Sequence, residues 1–289
     1  MGSLEAGQFR KIDDAFKKGD LEALRVAVGD PTLVPNGRLP DGIGWCLVYA
    51  IYHSPLAFIR QLLEARADPN LPVDEGFPPL IAALICSRAE RGATKRDDVD
   101  DIVRLLLSVG ADPNQRGIND YTALHMAVGE RDALAVYRLL EAGADTDLRT
   151  RIDDYETPLE IAQAAGLTTI ASMLERKGQP LRRRLRSGLT LLEDIPGAGE
   201  EVRRQHTYRI RLCLWLNGGD LVRDTTNDVR VDRRSLVNGL FYGLDGMRVG
   251  GTRRLEIAPH LAYGDQGVPG VIPAGALLVA EITILEARA

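Results

Sequence analysis

The side chains that most often carry out covalent or metal-assisted chemistry are few and scattered in this sequence. The three cysteines, Cys46, Cys86 and Cys213, each lie inside an apolar run, which predicts buried, reduced thiols and no disulfide framework. The four histidines form no pair with the spacing of a metal site. No glycine-rich phosphate loop and no Gly-x-Ser-x-Gly nucleophile elbow occurs. We therefore expect neither a metal nor a cofactor.

The last third of the sequence has the alternating pattern of a sheet. Residues 208–216 place apolar side chains at every second position and run into Asn-Gly-Gly, a hairpin turn signal. One short amphipathic helix is predicted after Ser235, and an apolar strand begins near Ala276. These elements predict an α+β domain in which a twisted antiparallel sheet wraps on one short helix.

Two segments of this region resemble the FKBP family of peptidyl-prolyl cis/trans isomerases. They are Pro-His-Leu-Ala-Tyr-Gly at 259–264 and Pro-Gly-Val-Ile-Pro at 269–273, and the resemblance covers about residues 188–289. It implies rotation about the bond before proline, against a resonance barrier of about 20 kcal/mol. That chemistry needs neither nucleophile nor metal, because an apolar pocket favours the twisted amide over the planar one.

The resemblance also implies which residues act. Tyr263 keeps its family position and is expected to bond a substrate carbonyl, Val237 supplies the binding amide, and Ile272 lies in the flap with Val271. Tyr263, Val237 and Ile272 are therefore the candidate catalytic residues. The other candidate binding residues are Leu212, Val222, Arg223, Leu236, Leu240, Val271 and Ala280.

Five of these positions depart from the family pattern. Leu212 replaces a strand tyrosine, Val222 and Arg223 replace a phenylalanine and an aspartate, Leu240 replaces a tryptophan, and Ala280 replaces a late-strand phenylalanine. The pocket thereby loses aromatic walls and gains a cation at its edge.

Three further aromatic residues allow two interpretations of the pocket. Phe241, Tyr242 or Trp215 would refill it if the helix were rotated, or they pack elsewhere.

The first half of the sequence repeats itself. Leu-Leu-Glu-Ala-Arg-Ala-Asp-Pro-Asn at 62–70 recurs in related form at 106–114 and 139–147, at intervals of 44 and 33 residues. A Thr-Pro-Leu-like helix opening precedes each copy. The longer interval places an insertion in the polar stretch 86–98, between two helices. The pattern resembles the ankyrin repeat over about residues 9–178, with four repeats and a capping unit near 9–28, and so predicts an all-α solenoid.

The ankyrin resemblance implies a surface that holds folded partner proteins through hairpin tips and inner helices. Several tips are acidic, which favours a basic patch on the partner, although ordinary solvated hairpins are an equal alternative. His125 is expected to be structural, bonding neighbouring turns. The candidate partner-binding residues are Asp74, Glu75, Asp120, Tyr121, Asp153, Asp154 and Tyr155.

Composition and charge set the domain boundaries. The composition, 45% hydrophobic and 27% charged, is typical of a globular protein. The length of 289 residues favours two domains. Residues 1–178 carry 28 acidic and 20 basic side chains, whereas 179–187 carry four arginines and no acid. We predict ankyrin repeats at 1–178, an arginine-rich linker at 179–187 and an FKBP-like domain at 188–289. The linker is expected to pair with the acidic first half, in preference to binding a polyanion.

Two functional hypotheses follow. In the first, both modules bind a protein or a proline-containing peptide client, and isomerase activity is weak or lost. In the second, an active isomerase or folding helper receives clients from the ankyrin repeats. A macrolide receptor is a weaker third, because the pocket lacks aromatic walls. No nucleic acid or membrane partner is expected, a monomer is favoured, and a cytoplasmic location follows from the missing signal peptide and transmembrane segment.

Overall fold

The computed structural model describes residues 6–39, 43–71, 77–87, 95–151, 155–217 and 219–288. The chain divides into two units, Met1–Gly178 and Gln179–Ala289. The first is helical and the second is built around a sheet.

The first unit is an array of helical hairpins, as the repeat pattern predicts. Successive helices pair as α1 with α2 and so on to α9 with α10, and the predicted insertion lies between α5 and α6, with residues 88–94 outside the described part. A two-stranded ribbon, β1 Arg38–Leu39 and β2 Gly44–Trp45, precedes the third helix. The helices are α1 Ala6–Lys18, α2 Leu21–Val28, α3 Cys46–His53, α4 Leu56–Glu64, α5 Pro79–Ile85, α6 Val99–Ser108, α7 Ala123–Gly129, α8 Ala133–Glu141, α9 Pro158–Ala164 and α10 Thr168–Glu175.

Local sequence signals begin and end these helices. Thr122 and Thr157 cap α7 and α9 in capping boxes, where the hydroxyl accepts the third backbone N–H of the helix. Gly110 and Gly143 follow α6 and α8 with φ of 90° and 85°, a left-handed geometry that costs glycine little. The repeat motif thus encodes both ends of the helices.

Asparagines connect consecutive repeats. The Asn70 side chain accepts the Asp112 N–H at 2.7 Å and donates to the Gly110 carbonyl at 2.8 Å. Asn114 accepts the Asp145 N–H in the next repeat at 2.7 Å. The recurring Asp-Pro-Asn turn is therefore the part of the motif that holds the stack in register.

The second unit is a six-stranded antiparallel sheet in the order β3-β4-β7-β8-β5-β6, with one short helix, α11 Asn238–Gly243. Its core lies between the sheet and α11 and includes Tyr208, Leu240, Leu255 and Ile282. This agrees with the predicted α+β architecture. The strands are β3 Arg183–Arg186, β4 Leu189–Ile195, β5 Thr207–Leu216, β6 Leu221–Arg230, β7 Thr252–Ile257 and β8 Leu278–Arg288.

The arginine-rich segment differs from the linker expected there. Arg183 and Arg184 pair with Leu191 and Thr190, so the segment forms the edge strand β3. Just before it, the Leu181 N–H donates to the Leu192 carbonyl at 2.7 Å. All four residues of β3 are exposed, and charged side chains suit an edge strand because they oppose pairing with another chain. The second unit therefore starts at Gln179 in the structure.

Among the described residues, no helix is both long enough and apolar enough to cross a membrane.

Candidate functional site

The second unit contains a cavity of about 600 Å³ on the inner face of its sheet, between β5, β6, α11 and the segment that contains Tyr263. Its floor is aliphatic and its walls are polar or basic. The lining residues are Ile210, Leu212, Arg223, Thr225, Asn227, Val229, Arg233, Arg234, Ser235, Leu236, Val237, Asn238, Leu240, Ala262 and Tyr263.

The pairing of β5 with β6 builds one wall of this cavity. Ile210 lies opposite Asn227, Leu212 opposite Thr225, and Leu214 opposite Arg223, so alternate residues of β6 face inwards. Val222 is the extra residue where the register shifts next to Leu214, and it packs against the core. The bulge packs the apolar Val222 against the core and leaves the adjacent Arg223 on the cavity wall.

A tight turn before α11 builds the opposite wall. The Asp232 carboxylate accepts the backbone N–H groups of Ser235 at 2.8 Å and Arg234 at 2.9 Å, and these bonds lower the pKa of Asp232. The chain then enters α11 at Val237, and the helix lies close to β7 because Gly239 has no Cβ to meet Ile257. The turn thereby fixes the residues that precede the helix.

Two polar groups on the cavity wall have no hydrogen-bond partner within the described part of the chain. The Val237 N–H, at the cap of α11, donates to no protein acceptor. The Tyr263 hydroxyl likewise bonds no protein atom. An N–H and an O–H donor are therefore both available to carbonyl groups of a bound peptide.

The cavity brings together six of the predicted site residues: Leu212, Arg223, Leu236, Val237, Leu240 and Tyr263.

The other predicted positions lie outside the cavity lining. Ile272 is buried in the core with its N–H bonded to the Val268 carbonyl at 2.8 Å, and its neighbour Val271 is 48% exposed. Ala280 is fully buried in β8, and Val222 packs at the bulge described above.

The additional aromatic residues do not refill the cavity. The Phe241 ring centroid is 5.1 Å from the Arg204 guanidinium, and the Tyr242 ring lies 3.5 Å below Arg186. Trp215 lies beside Arg254, at 5.5 Å. Tyr263 is thus the single aromatic residue among those that line the cavity.

Sequence reasoning missed several polar lining residues, namely Thr225, Asn227, Arg233, Arg234 and Ser235. Thr225 and Asn227 lie on β6, which has no apolar alternation, and the other three lie in the turn after it, so periodicity identifies neither group. The cluster of arginines directly before a predicted helix was the available signal.

The hairpin tips of the first unit are described in part. Asp120 lies 3.7 Å from Arg116 and 3.9 Å from Arg151, so basic neighbours balance its charge. The Tyr121 ring stands edge-on to His125, and Tyr155 is 60% exposed. The predicted positions Asp74, Glu75, Asp153 and Asp154 lie outside the described residues.

The thiols and carboxylates show no reactive arrangement in the described ranges. All three cysteines are buried and form no disulfide, and burial raises the pKa of Cys46 to about 12 and that of Cys86 to about 11. Within those ranges, no three His, Cys, Asp or Glu side chains gather as metal ligands.

Comparison with known proteins finds a family match for each unit. Residues 200–285 match FKBP-type peptidyl-prolyl cis-trans isomerase, and residues 91–183 match ankyrin repeats in three copies. The first match covers the sheet and its cavity, and the second covers the later helical hairpins. The chain therefore contains ankyrin repeats followed by a domain of the FKBP type.

Individual relatives match parts of the chain. FK506-binding protein 4 of Chaetomium thermophilum is 37% identical over 105 residues, which are 35% of this chain and 22% of that protein. Ankyrin repeat and KH domain-containing protein mask-1 of Caenorhabditis elegans is 27% identical over 175 residues, 60% of this chain and 6% of that protein. The chain spans less than a quarter of the length of either relative.

A solved structure of a peptidyl-prolyl cis-trans isomerase from Pseudomonas syringae pv. tomato is also similar. It is 26% identical, with a TM-score of 0.35, and the match covers 46% of this chain and 98% of that one.

Proposed function

We propose that this protein binds other proteins, with a cavity in its FKBP-type domain that holds proline-containing segments and isomerises them weakly or not at all. The observation that carries this proposal is the composition of the cavity wall, where three arginines and one aromatic ring surround an aliphatic floor. A wall of this kind combines a binding site for a small apolar ring with a charged, hydrated rim.

The rim disfavours turnover for a physical reason. Isomerisation requires a twisted amide that has lost resonance and is less polar than the planar form, against a barrier of about 20 kcal/mol. An apolar, water-excluding enclosure favours the twisted form, whereas charged and hydrated groups stabilise the planar one. Three guanidinium groups therefore lower the preference of the cavity for the transition state.

Binding has its own support in the two available donors. In this proposal the Val237 N–H and the Tyr263 hydroxyl each donate to a carbonyl group of the bound peptide, and the proline ring packs on the floor residues Ile210 and Leu240. Net hydrogen bonds of this kind contribute about 0.5–1.5 kcal/mol each. The two hydrogen bonds therefore contribute to peptide binding even where the aromatic walls are missing.

The same two donors favour a second candidate function. If they hold the carbonyl groups on either side of the rotating bond, the domain is an active isomerase or folding helper that receives its clients from the ankyrin repeats. Only a rate measurement separates this candidate from the first.

The ankyrin repeats are proposed to recruit the partner through their hairpin tips. Tyr155 supports this because it is a large exposed side chain at a tip. Because the tips at 74–75 and 153–154 are acidic, the partner is proposed to carry a basic patch. Buried, reduced cysteines fit action in the cytoplasm, and we propose a monomer.

An exchange experiment on the full chain tests binding and turnover together. Proline peptides are titrated with protein, chemical-shift changes report binding, and cis/trans exchange peaks report the isomerisation rate. We expect saturable shifts with little acceleration, and about three- to tenfold weaker binding in Tyr263→Phe because one hydrogen bond is lost. Thr226→Val is the control, because it removes a hydroxyl from an exposed, outward-facing position of β6 and should change neither binding nor rate.

Two outcomes would contradict the proposal. Strong acceleration that falls in Tyr263→Phe would establish the active isomerase instead. Absence of any shift change at millimolar peptide would remove the cavity as a binding site.

A further inference from the structure

We propose that this cavity selects proline-containing segments with an anionic side chain, a carboxylate or a phosphate, next to the proline. The inference rests on the proposed function, because it names the class of peptide that the same cavity holds. Three arginines line the cavity, Arg223, Arg233 and Arg234, and among the described residues no aspartate or glutamate lines it with them. The cavity wall is therefore strongly cationic.

Arg223 faces the cavity because of its position in the sheet. Arg223 lies on β6 opposite Leu214 of β5, two residues before the inward-facing Thr225. Within the described part of the chain, its guanidinium has no ion pair and no hydrogen bond. Its charge is thus available at the edge of the apolar floor.

Arg233 and Arg234 face the cavity from the turn that precedes α11. Arg233 donates to the Tyr242 hydroxyl at 2.8 Å and lies 5.6 Å from the Phe241 ring centroid, so its guanidinium is held in place. The Arg234 side chain, like that of Arg223, has no partner among the described residues. The turn itself is fixed by Asp232, which accepts the Arg234 N–H at 2.9 Å.

A second cavity of about 730 Å³ shares Arg233 and Arg234 with the first, but its own arginines are already paired. Arg204 lies 3.1 Å from the Asp245 carboxylate, and Arg230 lies 3.5 Å from that of Asp232. The unbalanced charge is therefore concentrated at Arg223 and Arg234, on the wall of the first cavity.

The chemistry of the guanidinium group determines which ligand pairs with these arginines. Its planar array of N–H donors pairs two at a time with the oxygens of a carboxylate or a phosphate. Neighbouring arginines without counterions repel one another, and a bound anion relieves that repulsion. Beside a floor that accepts a proline ring, the matching ligand is a peptide whose residue next to proline is glutamate, aspartate or a phosphorylated serine or threonine.

The charge pattern favours a peptide over a nucleic acid. Residues 179–289 carry 16 basic and 13 acidic side chains, a small excess, and polyanion binding needs a basic face that extends over the domain. In the cavity the arginines stand beside an aliphatic floor, which suits a peptide that carries an apolar ring next to its anion.

Matched peptides and the full chain test the inference. Fluorescent peptides that differ only before the proline, with Glu, Gln, phosphoserine or Ser, are titrated by anisotropy. We expect the Glu and phosphoserine peptides to bind at least about tenfold more tightly than the Gln and Ser peptides. High salt should reduce this difference in affinity. Arg223→Gln and Arg234→Gln should each lower the advantage. Arg209→Gln is the control, because that exposed arginine lies opposite Asp228 on the other face of the sheet.

The outcomes distinguish this inference from the proposed function. If neutral and anionic peptides bind equally and Tyr263→Phe weakens both, the proposed function stands and the selectivity is wrong. If no peptide binds, both fail. Displacement of the acidic peptide by an oligonucleotide of equal charge at similar concentration would also overturn the inference, whereas a larger advantage for phosphoserine than for Glu would assign phosphate as the preferred anion.

Discussion

A buried histidine in the first unit joins two successive repeats. The His125 Nδ1 atom lies 2.8 Å from the Thr122 hydroxyl and 3.3 Å from its N–H, and Nε2 lies 3.2 Å from the Glu156 carbonyl. A carbonyl oxygen only accepts, so Nε2 carries the proton and Nδ1 accepts from Thr122. This neutral ring fits the structural role expected for His125, because both nitrogens are used within the array.

The neutral state of His125 predicts a loss of stability on the acid side. Burial lowers its pKa below the ordinary 6.5, whereas the unfolded chain protonates this ring near 6.5. As the pH falls below about 6.5, protons bind the unfolded state more strongly, so the free energy of unfolding decreases until the pH reaches the folded pKa. The loss is about 1.4 kcal/mol for each unit of difference.

Ring-proton NMR titration and denaturation from pH 7.5 to 5 would measure both quantities. In His125→Gln the acid-side slope should flatten, and in the exposed His206→Gln it should persist. A His125 midpoint at or above 6.5 would contradict the prediction.

At the scale of elements, the asparagine turns predict that one amide couples two hairpins. Asn114 accepts the Asp145 N–H at 2.7 Å and donates to the Gly143 carbonyl at 3.4 Å, across repeats. We expect Asn114→Ala to lower the free energy of unfolding by about 1–2 kcal/mol, because both backbone groups lose a partner. Urea denaturation followed by circular dichroism measures it, with the exposed Gln163→Ala as control. Equal stability of the two variants would show that the turns stack without this amide.

The elements also show why the cavity was only partly predictable. Tyr263 followed from a short, well-matched segment and Val237 from its position in the wider resemblance, and the alternation in β5 identified Leu212 as an inward-facing residue. Strand β6 carries no such signal, because its inward positions face a polar cavity and its outward positions face water. Thr225 and Asn227 were therefore missed. Arg234 was missed as well, because it lies in the turn after β6, where no periodicity marks a residue as lining the cavity, although its chemistry decides the ligand class proposed above.

At the scale of the whole molecule, repeats and segment composition were sufficient to predict two units of different fold, because each unit has its own periodicity and its own core. The exception is the arginine-rich segment. A run of charged residues is typical of a linker. An edge strand, however, hydrogen-bonds to the sheet through its backbone alone, so it needs no apolar face. Sequence pattern cannot distinguish these two structures when every side chain is exposed.

The edge strand leads to a prediction about the boundary. Residues 179–289 should fold without the repeats, and residues 188–289 should be less stable by about 1–3 kcal/mol, since they lack the β3 ladder and the stacking of Arg186 on Tyr242. Thermal and urea unfolding of the two fragments measure the difference. Arg186→Gln in the longer fragment removes the stacking while it keeps the strand, and should fall between them. Removal of an edge strand that stabilises the sheet must lower the free energy of unfolding. If both fragments unfold at the same denaturant concentration, β3 therefore contributes no stability and the domain starts at Gly188.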